Sequence, residues 1–256
     1  MSAKSLWEKI RDEPVSGDHL AIWPLGGGSV GLKSGSKIGF VDPFLSNWSD
    51  DEWIRRFPPE VSPGKVENCS FVLITHEHED HFDPETLTGL LEKNDFPIIA
   101  PQSVRSRLEG DPSTRRIEEN LDTVISGEVR DISGLTVEIV ETRDPLSELP
   151  LGFVLTVDSG SVGFMGDSLY DPDLVLPLCE SHDLDAVFFA VGDNPPGEKY
   201  YLSIEELKVT AEELKPCLVV PIHWDLWTKT YINPLDFDLE EYDNVKIVRR
   251  GEVLKI

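Results

Sequence analysis

The chain has 256 residues and a formal net charge of −25, from 48 Asp and Glu against 23 Lys and Arg. This acidity argues against a nucleic-acid binder, which needs clustered Lys and Arg, and against adsorption to an anionic membrane. Hydrophobic residues make up 39% of the chain, so a sizeable core can form, and the length suits one large α/β domain or two small ones.

The N-terminal segment and the cysteines together predict a cytoplasmic protein. The segment MSAKSLWEKIRDEP has no long apolar run of the kind that a signal peptide needs, and no apolar stretch approaches the ~20 residues that span a bilayer. Cys69, Cys179 and Cys217 are widely spaced and form no CxxC pair. We therefore expect buried thiols in a reducing compartment.

The first half of the chain alternates short β-rich runs with helices. Asp83 and Pro84 mark the start of a helix, as its N-cap and its first helical residue. The predicted elements here are a helix over residues 5–12, strands over 37–42, 70–75 and 96–100, and the helix after residue 83.

The second half is richer in strands. Ser203 and Glu206 have the spacing of a capping box, which predicts the start of a helix over residues 203–214. The end of the chain predicts a hairpin over residues 245–256 with Gly251 at its turn. The remaining predicted strands cover residues 135–140, 152–157, 161–165, 185–191 and 218–222.

Polar residues that can bind metals stand at the ends of four apolar runs. They are Asp42, His76, Asp167 and His223. Strand ends at one edge of a packed sheet can converge on a single site, and the sheet then holds the side chains rigidly. The pattern therefore predicts a functional site at one sheet edge.

The strongest local signal is the run H-E-H-E-D-H at residues 76–81, which contains three of the six histidines of the chain. Clusters of His and carboxylate are how proteins hold divalent metals. A tight loop after a strand can aim His76 and His78 at one metal, while Asp80 and His81 from the next turn face a second. The two glutamates of the run are expected to point outward as solvated carboxylates.

This run resembles the HxHxDH motif of the metallo-β-lactamase superfamily. Asp167 in SVGFMGD resembles the bridging aspartate of that superfamily, and His223 after LVVPI resembles its final histidine. Asp42 in VDPF resembles the aspartate that usually supports the site from behind the ligands. The resemblance implies a four-layer αββα sandwich, with residues 1–256 as a single hydrolase domain and residues 1–20 as an N-terminal helical extension.

One departure points to a particular branch of the superfamily. Its members usually supply another histidine between the motif and the bridging aspartate, and no histidine lies between His81 and Asp167. The L-ascorbate-6-phosphate lactonase family also lacks this histidine and carries an aspartate there. Asp144 is the corresponding candidate, as a ligand directly or through water, or alternatively as a turn carboxylate before Pro145.

Three further segments resemble that lactonase branch: GDSLY at residues 166–170, AVGDNPPG at 190–197 and PIHWDLW at 221–227. The chain is nevertheless shorter, without a long insert around residues 141–151. Pro196 stands where the lactonases have an arginine, which is a natural phosphate ligand. The resemblance therefore indicates the family, whereas the exact reaction stays open.

The resemblance also implies the metal ligands. One position takes His76, His78 and Asp167, and the other takes Asp80, His81, Asp167 and His223, with Asp144 in the vacant histidine place. Oxygen-rich coordination favours Mn²⁺ and imidazole-rich coordination favours Zn²⁺, so one or two ions of either kind are expected. Asp80 and Asp167 are the implied catalytic carboxylates, and Asp80 is expected to orient the nucleophile and carry a proton.

The implied activity is hydrolysis of a lactone or other small ester-type substrate, with or without a phosphate, by water whose pKa the metal lowers to near ~7. A phosphate group would need local cations, for which Arg143 and Lys199 are the candidates. Asn194, Tyr200 and Tyr201 are candidate polar contacts, and each of the five has a plain surface residue as its alternative interpretation. Trp224 and Trp227 are interpreted mainly as packing residues.

Two alternative functions stay open. One is a phosphodiesterase that acts on a small phosphodiester or a phospholipid head group, and the other is a non-catalytic metal-binding protein. The expected partner is a small-molecule substrate, without nucleic acid or membrane. Because members of the resembled family often assemble, a homo-oligomer is a further expectation.

Overall fold

In the computed structural model, two mixed β-sheets pack face to face and helices cover their outer sides. The structure describes residues 4–132, 134–215, 217–239 and 241–256, with the side chains of residues 179 and 180 left out. This arrangement confirms the αββα sandwich that the sequence resemblance implies.

The first sheet has seven strands within the described residues. They are β1 (Ala21–Gly26), β2 (Ser29–Ser34), β3 (Lys37–Val41), β4 (Cys69–Leu73), β5 (Ile98–Ala100), β6 (Leu121–Thr123) and β13 (Leu254–Lys255). Their spatial order is β13-β1-β2-β3-β4-β5-β6. Pairing is antiparallel from β13 to β3 and parallel from β3 to β6.

The second sheet has six strands in the same described ranges. They are β7 (Val129–Asp131), β8 (Thr136–Glu141), β9 (Leu151–Val157), β10 (Gly160–Phe164), β11 (Leu184–Ala190) and β12 (Leu218–Ile222). The spatial order is β12-β11-β10-β9-β8-β7. The edge of this sheet from β10 to β12 is parallel, so the carboxyl ends of these three strands lie on the same side.

Helices form the two outer layers. The first sheet is covered by α1 (Leu6–Asp12), α2 (Pro84–Leu91), α3 (Gln102–Leu108) and α4 (Arg115–Asn120), and the second by α5 (Pro172–Ser181) and α6 (Ile204–Glu213). Short 3-10 turns lie at Pro63–Lys65, Pro112–Thr114 and Pro234–Asp236. No helix in the described part of the chain has the length and apolar composition needed to cross a membrane.

The core follows the alternation of side chains along each strand. In β1, Ile22 faces the second sheet, whereas Trp23 faces the helices. In β9, Phe153 lies between the sheets, and Val154 packs under α5 and α6. Because both faces of each sheet are covered, these strands are apolar nearly throughout rather than alternately polar.

The helix starts predicted from the sequence are confirmed. The side chain of Asp83 accepts a hydrogen bond from the backbone N–H of Glu85 and caps α2, with Pro84 as its first residue. Ser203 and Glu206 form the reciprocal capping box of α6. Such caps satisfy backbone N–H groups that have no partner inside the helix.

The helix α1 packs as part of the outer layer of the first sheet. Leu6, Trp7 and Ile10 are buried against the sheet. The Lys33 ammonium on β2 donates hydrogen bonds to the carbonyls of Arg11 and Glu13, at 2.5 and 2.7 Å. These bonds serve carbonyls that the end of the helix leaves without intrahelical partners.

The predicted closing hairpin over residues 245–256 is wrong. Val245 forms a parallel bridge with β12 at the edge of the second sheet, whereas Leu254 pairs with β1 at the edge of the first. Gly251 does lie in a turn with φ +75°, but its N–H donates to Pro24 of β1. The segment thus covers one edge of each sheet, at β1 and at β12, which a two-stranded ribbon would leave exposed.

The thiols of Cys69 and Cys217 are buried, as predicted. Burial in an apolar layer raises the pKa of the Cys69 thiol to about 12, so this residue is inert towards electrophiles at neutral pH. The prediction for Cys179 lies outside the described side chains.

Candidate metal centre

The ends of four strands place polar residues at one edge of the sandwich. Asp42 follows β3, His76 follows β4, Asp167 follows β10 and His223 follows β12. The Nε2 atom of His76 lies 3.9 Å from Asp167 Oδ2, and that of His223 lies 3.8 Å from Asp167 Oδ1. The parallel strands of both sheets therefore deliver their carboxyl ends to one place.

Seven side chains supply atoms that could hold a metal ion. They form three overlapping groups, in each of which the donor atoms lie within 4.8 Å of one another: His76, His78 and Asp144; His76, His81 and Asp167; Asp80, His81 and His223. All seven are residues that the sequence analysis singled out as ligands.

Four buried atoms of this centre have no hydrogen-bond partner among the described residues: His76 Nε2, Asp144 Oδ2, Asp167 Oδ1 and His223 Nδ1. Of these, His76 Nε2 and Asp144 Oδ2 lie 3.8 Å apart, too far for a hydrogen bond. A buried polar atom without a partner is destabilising. A divalent cation between a neutral imidazole and a carboxylate would satisfy both atoms, so the residues present fit a metal ion.

Asp144 combines the two interpretations that its sequence position allowed. Its Oδ1 atom accepts a hydrogen bond from the backbone N–H of Leu146 at 2.9 Å and stabilises a turn. Its Oδ2 atom lies 3.8 Å from His76 Nε2 and 3.9 Å from His78 Nδ1. One oxygen thus holds the loop, and the other faces the histidine donors.

Asp42 orients two imidazoles from behind the donor atoms. Its Oδ2 atom lies 2.8 Å from His81 Nδ1 and accepts a hydrogen bond from the Thr75 hydroxyl at 2.6 Å. Because the Thr75 hydroxyl donates to Asp42, its oxygen accepts from His76 Nδ1, 2.9 Å away. These partners hold a proton on the Nδ1 atom of both histidines and direct each Nε2 atom towards the other donor groups.

Two of the site residues have an unusual backbone. Asp42 has φ +46° and His223 has φ +68°, in the left-handed region that residues other than glycine rarely occupy. Each ends a strand, and the left-handed turn points its side chain into the site. Such conformations persist where surrounding contacts hold them, as the bond from His223 N–H to the Gly27 carbonyl does here at 3.0 Å.

The glycine run between β1 and β2 is a part of the site that the sequence analysis missed. A Cβ atom at Gly28 would lie 2.5 Å from Cε1 of His81, so only glycine allows this approach. The neighbouring Gly27 N–H donates to Asp225 Oδ1 at 3.1 Å, which ties the run to the loop after β12. The three consecutive glycines were the available signal.

Burial and neighbouring charges shift the pKa values of the centre in opposite directions. Burial lowers the pKa of His76 well below its usual range. Burial acts against the charged form of His81 as well, but the carboxylates of Asp167 and Asp42 outweigh it and raise the pKa of His81 well above its usual range. Burial and the charge of Asp167 together raise the pKa of Asp144 to about 6. Crowded carboxylates of this kind are stabilised by a bound cation.

Asp80 is held as a carboxylate by its neighbours. Burial opposes its charge, but His81 and His223 lower the pKa of Asp80 well below its usual range. His223 Nε2 lies 3.1 Å from Asp80 Oδ2, and the indole N–H of Trp227 donates to the same oxygen at 2.7 Å. Trp227 is therefore both a packing residue and a hydrogen-bond donor to the site.

The expectation of solvated glutamates in the motif is wrong for Glu77. Its side chain is buried, and its carboxylate accepts hydrogen bonds from the Ser147 hydroxyl at 2.9 Å and the Glu148 N–H at 2.8 Å. These bonds hold the loop of residues 142–150, which carries Asp144. Glu79 is exposed, as expected.

A pocket of about 210 Å³ opens above the donor groups. Its walls contain Trp48, Trp53, His78, Glu79, Asp80, Asp144, Leu146, Asp167, Tyr200, Tyr201 and Trp227. Four ligand candidates thus stand at its floor, and aromatic residues form much of its wall. Trp224 lies outside it, at a separate small cavity.

Of the five candidate substrate contacts, the structure places Tyr200 and Tyr201 at this pocket. Arg143 forms an ion pair with the N-cap aspartate of α5 at 2.9 Å, and Lys199 pairs with a glutamate of α6. The Asn194 side chain accepts a hydrogen bond from the Tyr200 N–H at 2.7 Å and shapes the loop. The two cations are therefore engaged by carboxylates of the helices α5 and α6.

Residues 40–224 match a protein family described as the beta-lactamase superfamily domain. This match covers more than half of the chain and includes all seven donor residues. The chain belongs to the metallo-β-lactamase superfamily. The family match and the paired sheets agree on the fold, and the HxHxDH motif lies within the matched region.

Relatives with similar sequences are named as metal-dependent hydrolases. The chain is 25% identical to a UPF0173 metal-dependent hydrolase of Pyrobaculum islandicum, over 88% of this chain and 95% of the relative. It is 23% identical to a probable L-ascorbate-6-phosphate lactonase of Salmonella paratyphi B, over 89% and 75%. A solved structure of a possible metal-dependent hydrolase from Veillonella parvula has a TM-score of 0.74 at 13% identity, over 91% and 98%. The chain is thus a metal-dependent hydrolase of this superfamily.

Proposed function

We propose that the chain hydrolyses a lactone or another small ester-type substrate with one or two divalent metal ions. The convergence of seven donor side chains at the floor of a pocket, with buried donor atoms that lack protein partners, carries this proposal. The likeness to a lactonase supports the choice of an ester-type bond over other hydrolysable groups.

The ligand assignment follows from the three donor groups. The first metal position would be held by His76, His78, Asp144 and Asp167, and the second by Asp80, His81, Asp167 and His223. Asp167 suits the bridging role, because Oδ2 faces His76 at 3.9 Å and Oδ1 faces His81 at 3.2 Å. The mixture of imidazole and carboxylate donors suits Mn²⁺ or Zn²⁺.

When bound, the metal ions supply hydroxide at neutral pH and polarise the scissile carbonyl. Asp80 lies at the pocket floor, where it can orient the nucleophile and accept its proton. The indole N–H of Trp227 fixes the Asp80 carboxylate, and Asp42 fixes the His81 ring, so the donor geometry is set before the substrate arrives.

The test combines metal analysis with two variants. Purified protein grown with Mn²⁺ or Zn²⁺ should retain one or two ions per chain. Asp167→Asn and His223→Ala should lose hydrolytic activity by a factor on the order of 100 or more, because both remove donors to the metals. His19→Ala, which changes an exposed histidine far from the donor set in sequence, should retain full activity.

A substrate panel separates the reaction classes. Lactones, phosphodiesters and β-lactams are assayed with each metal, and lactones should be turned over fastest. Far-UV circular dichroism shows whether the variants fold. Protein without bound metal after metal-replete growth, or full activity in folded Asp167→Asn, would refute the proposal.

A further inference from the structure

We propose that the pocket selects an uncharged substrate with a flat apolar part and rejects phosphorylated or otherwise anionic analogues. The inference rests on the proposed hydrolase function for the position of the reacting bond. It differs from the expectation of a phosphate-binding site, because the wall of the pocket supplies aromatic rings rather than cations.

The aromatic wall is continuous and internally braced. Ring centroids are 5.9 Å apart for Trp48 and Trp227, 5.7 Å for Trp227 and Trp53, and 5.2 Å for Trp53 and Tyr200, all in edge-to-face arrangements. Tyr201 extends the wall to the donor set, since its ring lies 4.4 Å from the imidazole of His223. Rings held in this way present fixed apolar surfaces against which a flat group can pack.

The charges of the pocket lining oppose an anion. Four carboxylates line it, those of Glu79, Asp80, Asp144 and Asp167, whereas the lining contains no Lys or Arg among the described residues. Two divalent ions would supply +4 against −3 from the three aspartates at the floor and −1 from the hydroxide, so no net positive charge remains there to attract an anion. A phosphate group farther from the metals would meet Glu79 and the rings without a compensating cation.

Two cations next to the aromatic wall, Lys229 and Arg55, already have hydrogen-bond or ion-pair partners. The Lys229 ammonium lies 2.6 Å from Glu52 and 2.7 Å from Glu198, and it stands over the rings of Trp53 and Tyr200. The Arg55 guanidinium donates to backbone carbonyls, including that of Ser46 at 2.6 Å. Neither can serve an anion in the pocket without giving up these contacts.

A cationic substrate is the less suitable alternative for the same aromatic wall. The ring systems of Trp53 and Tyr200 already interact with the Lys229 ammonium, so a cationic substrate would compete with this contact. An uncharged group avoids the competition and still gains the apolar contact.

Three probes of one shape test the selectivity. They are γ-phenyl-γ-butyrolactone and its para-sulfonate and para-trimethylammonium derivatives, assayed by proton release with the metal-loaded enzyme. We expect kcat/KM for the neutral lactone to exceed that for the sulfonate by about tenfold or more, since the charge must be desolvated against the rings. Equal or faster turnover of either charged probe would overturn the inference.

A binding measurement keeps this test separate from the reaction itself. The corresponding γ-lactams, which resist hydrolysis, are titrated into metal-loaded protein while tryptophan fluorescence is recorded. Tighter binding of the neutral lactam without turnover of any lactone would support the selectivity and refute the proposed reaction. Equal binding of neutral and sulfonated lactams, or no binding of any, would refute the selectivity.

A substitution at the rim tests the wall directly. Trp48 is 36% exposed, so Trp48→Lys can add a cation without burying it. We expect this variant to shift the ratio of kcat/KM values about tenfold towards the sulfonate. Phe237→Lys places the same charge on an exposed aromatic residue outside the pocket lining and should leave the ratio unchanged. An unchanged ratio in Trp48→Lys would contradict the inference.

Discussion

Gly28 is set against the ring of His81 with no space for a side chain. A Cβ atom there would stand 2.5 Å from Cε1 and 3.0 Å from Nδ1 of the imidazole. Because the same Nδ1 atom contacts Asp42, the glycine, the histidine and the carboxylate form one packed unit. A run of glycines in a sequence predicts a turn, but the side chain that will lie on it depends on a loop more than fifty residues away.

We therefore expect Gly28→Ala to displace the His81 ring. The overlap should destabilise the protein by about 1–3 kcal/mol and weaken metal binding at the second position. Urea unfolding of the metal-free protein and calorimetric titration with Zn²⁺ measure the two effects. Gly17→Ala is the matched control, since a Cβ atom there meets nothing within 4 Å. Wild-type metal affinity in Gly28→Ala would show that the ring does not depend on this contact.

At the scale of elements, the loop of residues 142–150 is tied to the motif loop by the buried carboxylate of Glu77, beside a contact of 3.2 Å between His78 Nε2 and the Leu146 carbonyl. Glu77 accepts two hydrogen bonds from this loop, at the Ser147 hydroxyl and the Glu148 N–H. Asp144 lies on the same loop and supplies the oxygen that faces His76 and His78. Glu77 thus fixes the distance between the donors of the motif and the aspartate that stands in the place of a histidine.

Loss of this tie should act on one metal position. Glu77→Ala is expected to weaken the first metal position by about tenfold or more, as removal of supporting partners commonly does, and to leave the second largely intact. Calorimetric titration resolves the two positions, and metal analysis after dialysis counts the retained ions. Glu109→Ala, at an exposed position after α3, is the control. Parallel weakening of both positions would contradict this assignment.

Local signals predicted the elements better than their pairing. Asp83 and Ser203 predict the starts of two helices, because an N-cap residue bonds to backbone groups only a few residues along the chain. The final segment was assigned to a hairpin because the turn at Gly251 is a local signal too. Its partners, β12 and β1, belong to different sheets, and no local pattern reveals which sheet edges are open.

At the scale of the whole molecule, the site accounts for few of the 48 acidic residues. Asp42, Asp80, Asp144 and Asp167 are the buried or partly buried carboxylates of the centre. Most of the excess negative charge must therefore lie outside the centre. Like charges there repel one another in the folded chain. Dissolved salt screens this repulsion over roughly 10 Å at 0.1 M.

The melting temperature should accordingly rise as KCl is added. Scanning calorimetry or fluorimetry at pH 7, from low salt to molar KCl, measures the shift. A neutral osmolyte at equal osmolality separates charge screening from general exclusion effects. A flat or falling melting temperature in KCl would exclude adaptation to salt as the reason for the acidity.

The cluster of donor atoms could be predicted from the sequence and the aromatic wall of the pocket could not. Strand ends and the H-E-H-E-D-H run mark the candidate ligands, because regular strands fix where their last residues lie. Trp48 and Tyr200 come from loops about 150 residues apart, and nothing in either loop indicates that they share a pocket. The engagement of Arg143 by a helix cap is equally invisible before the helix α5 is placed.

Strand ends hold the donor residues and loops hold the aromatic rings, which affects how the specificity of such a protein can change. Asp42 anchors His81 directly and His76 through Thr75, so both imidazoles depend on one point at the end of β3. Substitutions there would disturb the chemistry as a whole. Trp53 and Tyr200 can be exchanged without altering that point, so new specificities can be acquired while the reaction is retained, whereas Trp227 cannot, because its indole N–H holds the Asp80 carboxylate.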